Sequence, residues 1–85
     1  MVIKYTNDFI KDSKRLTLGQ KEKLKTRLKL FGQDQFNHVL NNHSLKGKYL
    51  GYRSINITGD LRAIFKAEKD RVTFITLDSH SNLYK

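Results

Sequence analysis

The group that could combine a base, an acid and a fixed cation is Asp60, Arg62 and His80, with His43 as a further candidate. Asp60 opens a strand-like run and Arg62 lies two residues on, so alternation lets both project to the same face. His80 sits just past the following strand-like run, and a sheet can bring a strand start beside its neighbour's end. Together they would set an imidazole, a carboxylate and a guanidinium around one point. An imidazole titrates near neutrality and carries protons either way. A guanidinium stays charged and holds two phosphate oxygens at once. RNA cleavage without a metal needs that set. A base removes the 2′-hydroxyl proton, the oxygen attacks the adjacent phosphorus, a cation steadies the added charge, and an acid protonates the departing 5′-oxygen. Each residue alone also has a plainer reading. Asp60 follows Gly59 and suits a hairpin turn, and Arg62 suits a solvated cation paired with Glu68 or Asp60.

Other chemistries find less in the chain. Cysteine is absent, so a thiol nucleophile, a disulfide and a thiolate metal site are all excluded. Ser79 and Ser81 flank His80 without the strand–turn–helix context of a nucleophile elbow. His38, His43 and His80 lack a zinc-site spacing, and neither glycine-rich phosphate loop occurs. No cofactor is expected.

The elements that must position these groups can be read from periodicity. Residues 2–6 alternate as a short strand. Asn7 is the expected N-cap of a helix reaching about Leu16, with Phe9, Ile10, Ser13 and Leu16 along one stripe. Thr17-Leu18-Gly19-Gln20 spells a capping box that opens a second helix. Leu24, Leu28 and Phe31 form its apolar stripe, and Gly32 is its expected left-handed cap. Lys21, Lys25 and Lys29 repeat on another face of that helix. Residues 35–40 suggest one short helical turn, and 41–44 a polar turn. Strands then follow over 52–58, 61–67 and 71–77, separated by turns at 58–60 and 68–70. In the first, Arg53, Ile55 and Ile57 oppose Tyr52, Ser54 and Asn56. The order β-α-α-β-β-β predicts one α+β domain over residues 1–85, a twisted antiparallel sheet with a helical hairpin on one face.

Charge is the strongest compositional signal. Seventeen Lys and Arg against eight Asp and Glu leave a formal charge of +9. Nine of the basic residues fall within residues 1–31, where only Asp8, Asp12 and Glu22 oppose them. Such a surface attracts polyanions, nucleic acid above all, and would equally suit an acidic protein partner. Lysines that merely keep a small protein in solution are the bland alternative. No apolar run approaches the roughly 20 residues that cross a bilayer. The start, Met1-Val2-Ile3-Lys4-Tyr5, has no signal-peptide pattern, so a cytoplasmic location is expected.

Four runs in chain order carry a family resemblance: His43-Ser44-Leu45-Lys46-Gly47, Gly51-Tyr52-Arg53, Ile57-Thr58-Gly59-Asp60-Leu61-Arg62, and Asp78-Ser79-His80-Ser81-Asn82-Leu83-Tyr84. The series resembles RelE-superfamily toxins of type II toxin–antitoxin modules, and among them the YafQ-type mRNA interferases. It covers residues 43–85 in motif, and residues 1–42 in element order and basic character. The resemblance implies a microbial-ribonuclease-like fold, metal-independent cleavage of ribosome-bound mRNA, and neutralisation by a cognate acidic antitoxin. It implies that His80 is the C-terminal catalytic histidine, Asp60 the strand aspartate, His43 a third catalytic group and Arg62 the phosphate-holding arginine. Tyr84 takes the terminal aromatic position, where a ring can stack on a base. Lys46, Lys48, Arg53 and Asn56 are the expected RNA contacts, with the helix lysines on mRNA and rRNA backbone. Two positions depart from the pattern. Asn56 stands where such members often carry a histidine, and Leu61 where an aromatic is common. A ParE-like gyrase inhibitor would share the architecture without a catalytic histidine, and a non-catalytic RNA- or ribosome-binding module would share the charge.

Overall fold

The computed structural model describes residues 1–79. Strand β1 spans Val2–Tyr5, helix α1 Asn7–Lys14 and helix α2 Leu18–Gln33. Short 3₁₀ turns at His38–Leu40 and Gly47–Tyr49 flank strand β2, His43–Ser44. Strands β3 (Arg53–Asn56), β4 (Leu61–Ala67) and β5 (Arg71–Ser79) follow. The five strands make one sheet in the order β1-β5-β4-β3-β2.

Local chemistry explains most boundaries. Thr6, one residue before the expected Asn7, caps α1: its hydroxyl accepts from the Phe9 amide at 3.2 Å. The hydroxyl serves better from that position because it also donates to the Ile75 carbonyl at 2.9 Å, tying the helix start to β5. The capping box forms as spelled: the Gln20 amide donates to Thr17 Oγ1 at 3.2 Å and the Thr17 amide to Gln20 Oε1 at 2.9 Å. Helix α2 passes through Gly32 and ends at Gln33, so Gly32 is not a left-handed cap. Left-handed φ occurs instead at Asn41, Gly47 and Gly51. At Gly47 (φ 66°) and Gly51 (φ 92°) that geometry brackets the turn after β2.

The sheet is mixed rather than wholly antiparallel. β2 to β5 pair antiparallel, but β1 lies parallel to β5, with Val2 opposite Arg71 and Tyr5 opposite Phe74. The turns at 58–60 and 68–70 force antiparallel neighbours. No hairpin links β1 to β5, so tertiary packing sets their direction. The polar stretch 41–44 also departs from a plain turn, since His43 and Ser44 pair with Ser54 and Arg53.

One sheet face packs on the helices. Phe9, Leu24 and Phe31 join Ile55, Ile57, Ala63, Phe65, Val72, Phe74 and Leu77 in the main core. Phe74 is its hub, with ring centroids of Tyr5, Phe9, Phe31 and Phe65 within 5.2–5.8 Å. Burial there pushes the Tyr5 phenol above its ordinary pKa of 10.0. The outer face is only partly covered. Leu45, Ile64, Tyr49, Tyr52 and Ile75 form a second, smaller cluster beneath the segment from β2 to β3.

β5 carries an irregularity that bears on everything after it. Phe65 pairs with Phe74, yet Ile64 pairs with Thr76, so Ile75 is an extra residue in a β-bulge. Past the bulge Leu77 returns to the main core, opposite Ala63.

Candidate active site

Alternation sets Ser54 and Asn56 on the outer face, opposite to Ile55 and Ile57. Arg62 is the cross-strand partner of Asn56, and Asp78 is the partner of Arg62. The three form a row across β3, β4 and β5. The neighbouring row is His43, Ser54, Ile64 and Thr76. Adjacent strands lie about 4.8 Å apart, so the register sets the residues of each row side by side.

Arg62 is oriented by the turn it follows. Its Nη1 donates to the carbonyls of Thr58 and Gly59, both at 3.1 Å. Those bonds hold the guanidinium beside exposed Asp60, on the same turn, and occupy one nitrogen of a group with three. Among the described residues Arg62 makes no ion pair with Asp60 or Glu68; Glu68 pairs with Arg71 at 3.8 Å. The Thr58 hydroxyl accepts from the Leu61 amide at 3.0 Å and fixes the turn that carries Asp60. The Asp78 carboxylate accepts from the Ser79 amide at 2.8 Å.

His43 lies on β2, with Nδ1 2.7 Å from the Asn41 carbonyl. A carbonyl only accepts, so Nδ1 carries the proton and Nε2 is the basic nitrogen of the neutral ring. Among the described residues, two polar atoms of this face are buried without a hydrogen-bond partner: Ser54 Oγ and Asn56 Oδ1. Buried polar atoms are nearly always paired, so two orphans among facing residues mark an unusual surface.

The expected RNA contacts divide. Lys46 and Lys48 are exposed on the segment that lies over the outer face, with Lys48 Nζ 5.3 Å from the Tyr49 ring centroid. Asn56 is in the row itself. Arg53 belongs to the other face, as its alternation with Ser54 dictates. Its Nε donates to Asn42 Oδ1 at 2.8 Å and its guanidinium lies 5.6 Å from the Phe36 ring centroid. The structure therefore separates Arg53 from the row. His80 and Tyr84 lie outside the described residues. Ser79, the residue before His80, pairs with Leu61, the residue after Asp60.

Two clefts border the row. One, of about 320 Å³, runs between Lys23 and Arg27 of α2 and the segment from Asn56 to Gly59. The other, of about 250 Å³, lies between Asp12, Arg15 and Leu16 and the end of β5 from Thr76 to Ser79. The sequence reading missed Asp12 and Asp78, and it took the helix lysines as backbone contacts without placing Lys23 and Arg27 near Asn56. For Asp12 a signal existed: it lies three residues after Phe9, a carboxylate near the packed stripe of the helix.

Comparison with known proteins gives a consistent picture. A family model described as a bacterial toxin of type II toxin–antitoxin system, YafQ, matches residues 1–85. Among solved structures, YafQ from E. coli strain BL21(DE3) is 27% identical, covers 98% of this chain and 97% of its own, and superposes with a TM-score of 0.77. YafQ in the E. coli DinJ–YafQ toxin–antitoxin complex is 28% identical, with coverage of 98% and 96% and a TM-score of 0.74. A chain of the RelB–RelE antitoxin–toxin complex from Methanococcus jannaschii shares the fold at 19% identity, with coverage of 96% and 95% and a TM-score of 0.75. Comparison with curated protein sequences found no match.

Proposed function

The chain belongs to the YafQ family of bacterial type II toxins, and from that premise we propose that it is a metal-independent endoribonuclease cleaving mRNA on the ribosome. The observation that carries the reading is the row Asn56–Arg62–Asp78, beside Asp60 and at the strand end that leads to His80. It sets a carboxylate and a half-used guanidinium at one edge of a basic surface.

In this mechanism His80 and Asp60 divide the two proton transfers. One takes the proton of the 2′-hydroxyl as its oxygen bonds to phosphorus. The other protonates the 5′-oxygen as the P–O bond breaks, leaving a 2′,3′-cyclic phosphate and a 5′-hydroxyl. Arg62 offers its remaining donors to the non-bridging oxygens, where charge builds in the transition state. His43, through Nε2, assists as a third proton carrier. Asn56 hydrogen-bonds phosphate or base but moves no proton near neutrality. Lys46 and Lys48 hold the backbone on the outer face, and Tyr84 stacks on a base. Arg53, held by Asn42 on the other face, contacts RNA backbone away from the cut and also fixes the segment before β2.

The partners follow from the same charge: mRNA and rRNA as substrate and platform, and an acidic antitoxin as inhibitor. The DinJ–YafQ and RelB–RelE complexes support such a partner. A cytoplasmic site of action follows from the substrate. Among the described residues no helix is long and apolar enough to cross a membrane.

The test is cleavage of mRNA on programmed ribosomes by the purified chain. Wild type should cut, and His80→Ala should be slower by about 10²-fold or more. A His80→Ala variant as fast as wild type removes the mechanism.

A further inference from the structure

β1 covers the outer edge of β5 only as far as Phe74. Beyond it the edge amides need other partners, and α1 supplies them. The Thr6 amide donates to the Phe74 carbonyl at 3.0 Å and the Thr6 hydroxyl to the Ile75 carbonyl at 2.9 Å. Asp12 Oδ2 then accepts both from the Thr76 hydroxyl, at 3.0 Å, and from the Leu77 amide, at 3.2 Å. One carboxylate oxygen thus takes the place of a missing neighbouring strand. It does so directly after the bulged residue Ile75, and 64 to 65 positions away in sequence.

The location gives this contact its consequence. Side chains alternate along a strand, so a bulge sets which face every later residue presents. Here the later residues are Asp78, opposite Arg62, and Ser79, the residue before His80. We infer that Asp12 is a positioning residue for the reaction: it locks the bulge of β5, and thereby the register of Asp78 opposite Arg62 and of Ser79, from which the chain continues to His80. The inference rests on the proposed ribonuclease reading for its kinetic consequence, but the lock itself is a property of the fold. The carboxylate is used as an acceptor, not as a charge. An amide oxygen in the same place can accept from both donors, whereas a methyl group accepts from neither. The phosphate-binding lysines on the segment after β2 are independent of it, so the lock affects turnover rather than binding.

The experiment compares Asp12→Ala, Asp12→Asn and Thr76→Val, using the full chain on programmed ribosomes at saturating and sub-saturating mRNA complex. Asp12→Ala should lower kcat on the order of 10- to 100-fold, with KM within about threefold. Asp12→Asn should restore kcat to within about threefold, and Thr76→Val, which loses one of the two bonds, should fall between. Amide ¹H–¹⁵N spectra of the same proteins should show Asp78 and Ser79 displaced in Asp12→Ala and near wild-type in Asp12→Asn. A Tm drop with unchanged kcat and unmoved Asp78 and Ser79 amides overturns the inference, as does an Asp12→Asn variant as impaired as Asp12→Ala. If wild type cleaves no RNA, the functional reading fails, and the amide shifts alone decide for or against the lock.

Discussion

The two faces of the sheet obey different rules. On the helix side Ile55, Ile57, Ala63, Phe65 and Phe74 are fully buried, and aromatic rings close around Phe74. On the other side, among the described residues, Ser54 and Asn56 hold buried oxygens without partners, Arg62 leans on backbone carbonyls, and a small cluster around Ile64 gives only partial cover. Strand alternation makes the contrast possible: each strand contributes to both faces, one residue apart. Stability is concentrated where water is excluded, and that leaves the second face free to carry polar groups poorly suited to a core. An inherited cost goes with it, because an unpaired buried oxygen destabilises by about 1–3 kcal/mol.

Substitutions that separate the faces test this division. Phe74→Ala should destabilise by about 3–5 kcal/mol, a large part of a small domain's total, measured by urea unfolding. A loss below about 1 kcal/mol would show that the core is not organised around this ring. Arg62→Ala should reduce mRNA cleavage by about 10²–10³-fold, comparable to removing one transition-state donor. Its unfolding midpoint should move little, since the lost bonds are to turn carbonyls, one exposed and one half-buried. Equal losses of activity and stability would erase the distinction between the faces. Asn56→His adds an imidazole to the row beside Arg62 and should raise the cleavage rate by about tenfold, less than the roughly 10²–10⁴-fold of a full proton-transfer role because other groups already carry protons there. An unchanged rate would mean that His80, Asp60 and His43 already meet every proton-transfer need. Smallest is Ser54→Ala, which removes an orphan hydroxyl and should raise stability by about 0.5–1 kcal/mol with activity within threefold. A loss of activity beyond tenfold would instead assign that hydroxyl to the substrate.

Legibility in the sequence followed the range of the interaction involved. The capping box at Thr17 and Gln20, the stripe of Leu24, Leu28 and Phe31, and the bounds of β4 at Leu61 and Ala67 all arise from neighbours within a few residues. So does the placement of Arg53 with Ile55 and Ile57, away from Asn56. The cap at Thr6 was missed because its hydroxyl is shared with Ile75, 69 positions on. Gly32 was misread as a stop because glycine permits a left-handed turn without requiring one.

The candidate site was legible only as a set of residue types. Motif order singled out His43, Asp60, Arg62 and His80, and the register then gathered Asn56, Arg62 and Asp78 into a row, with Asp60 on the turn just before Arg62. Asp78 was not in the set, because its role comes from a cross-strand partner.

By itself the sequence determined the helices, the hairpin-linked strands, their buried faces, the basic charge and the family motifs, since each depends on periodicity or on adjacent residues. Only the tertiary structure decided the parallel docking of β1, the pairing of His43 with Ser54, the bulge at Ile75 and its capture by Asp12. The docking of β1 and the Asp12 contact join residues from opposite ends of the chain, the other two depend on strand register, and no local pattern specifies which partner an acceptor or a strand will meet.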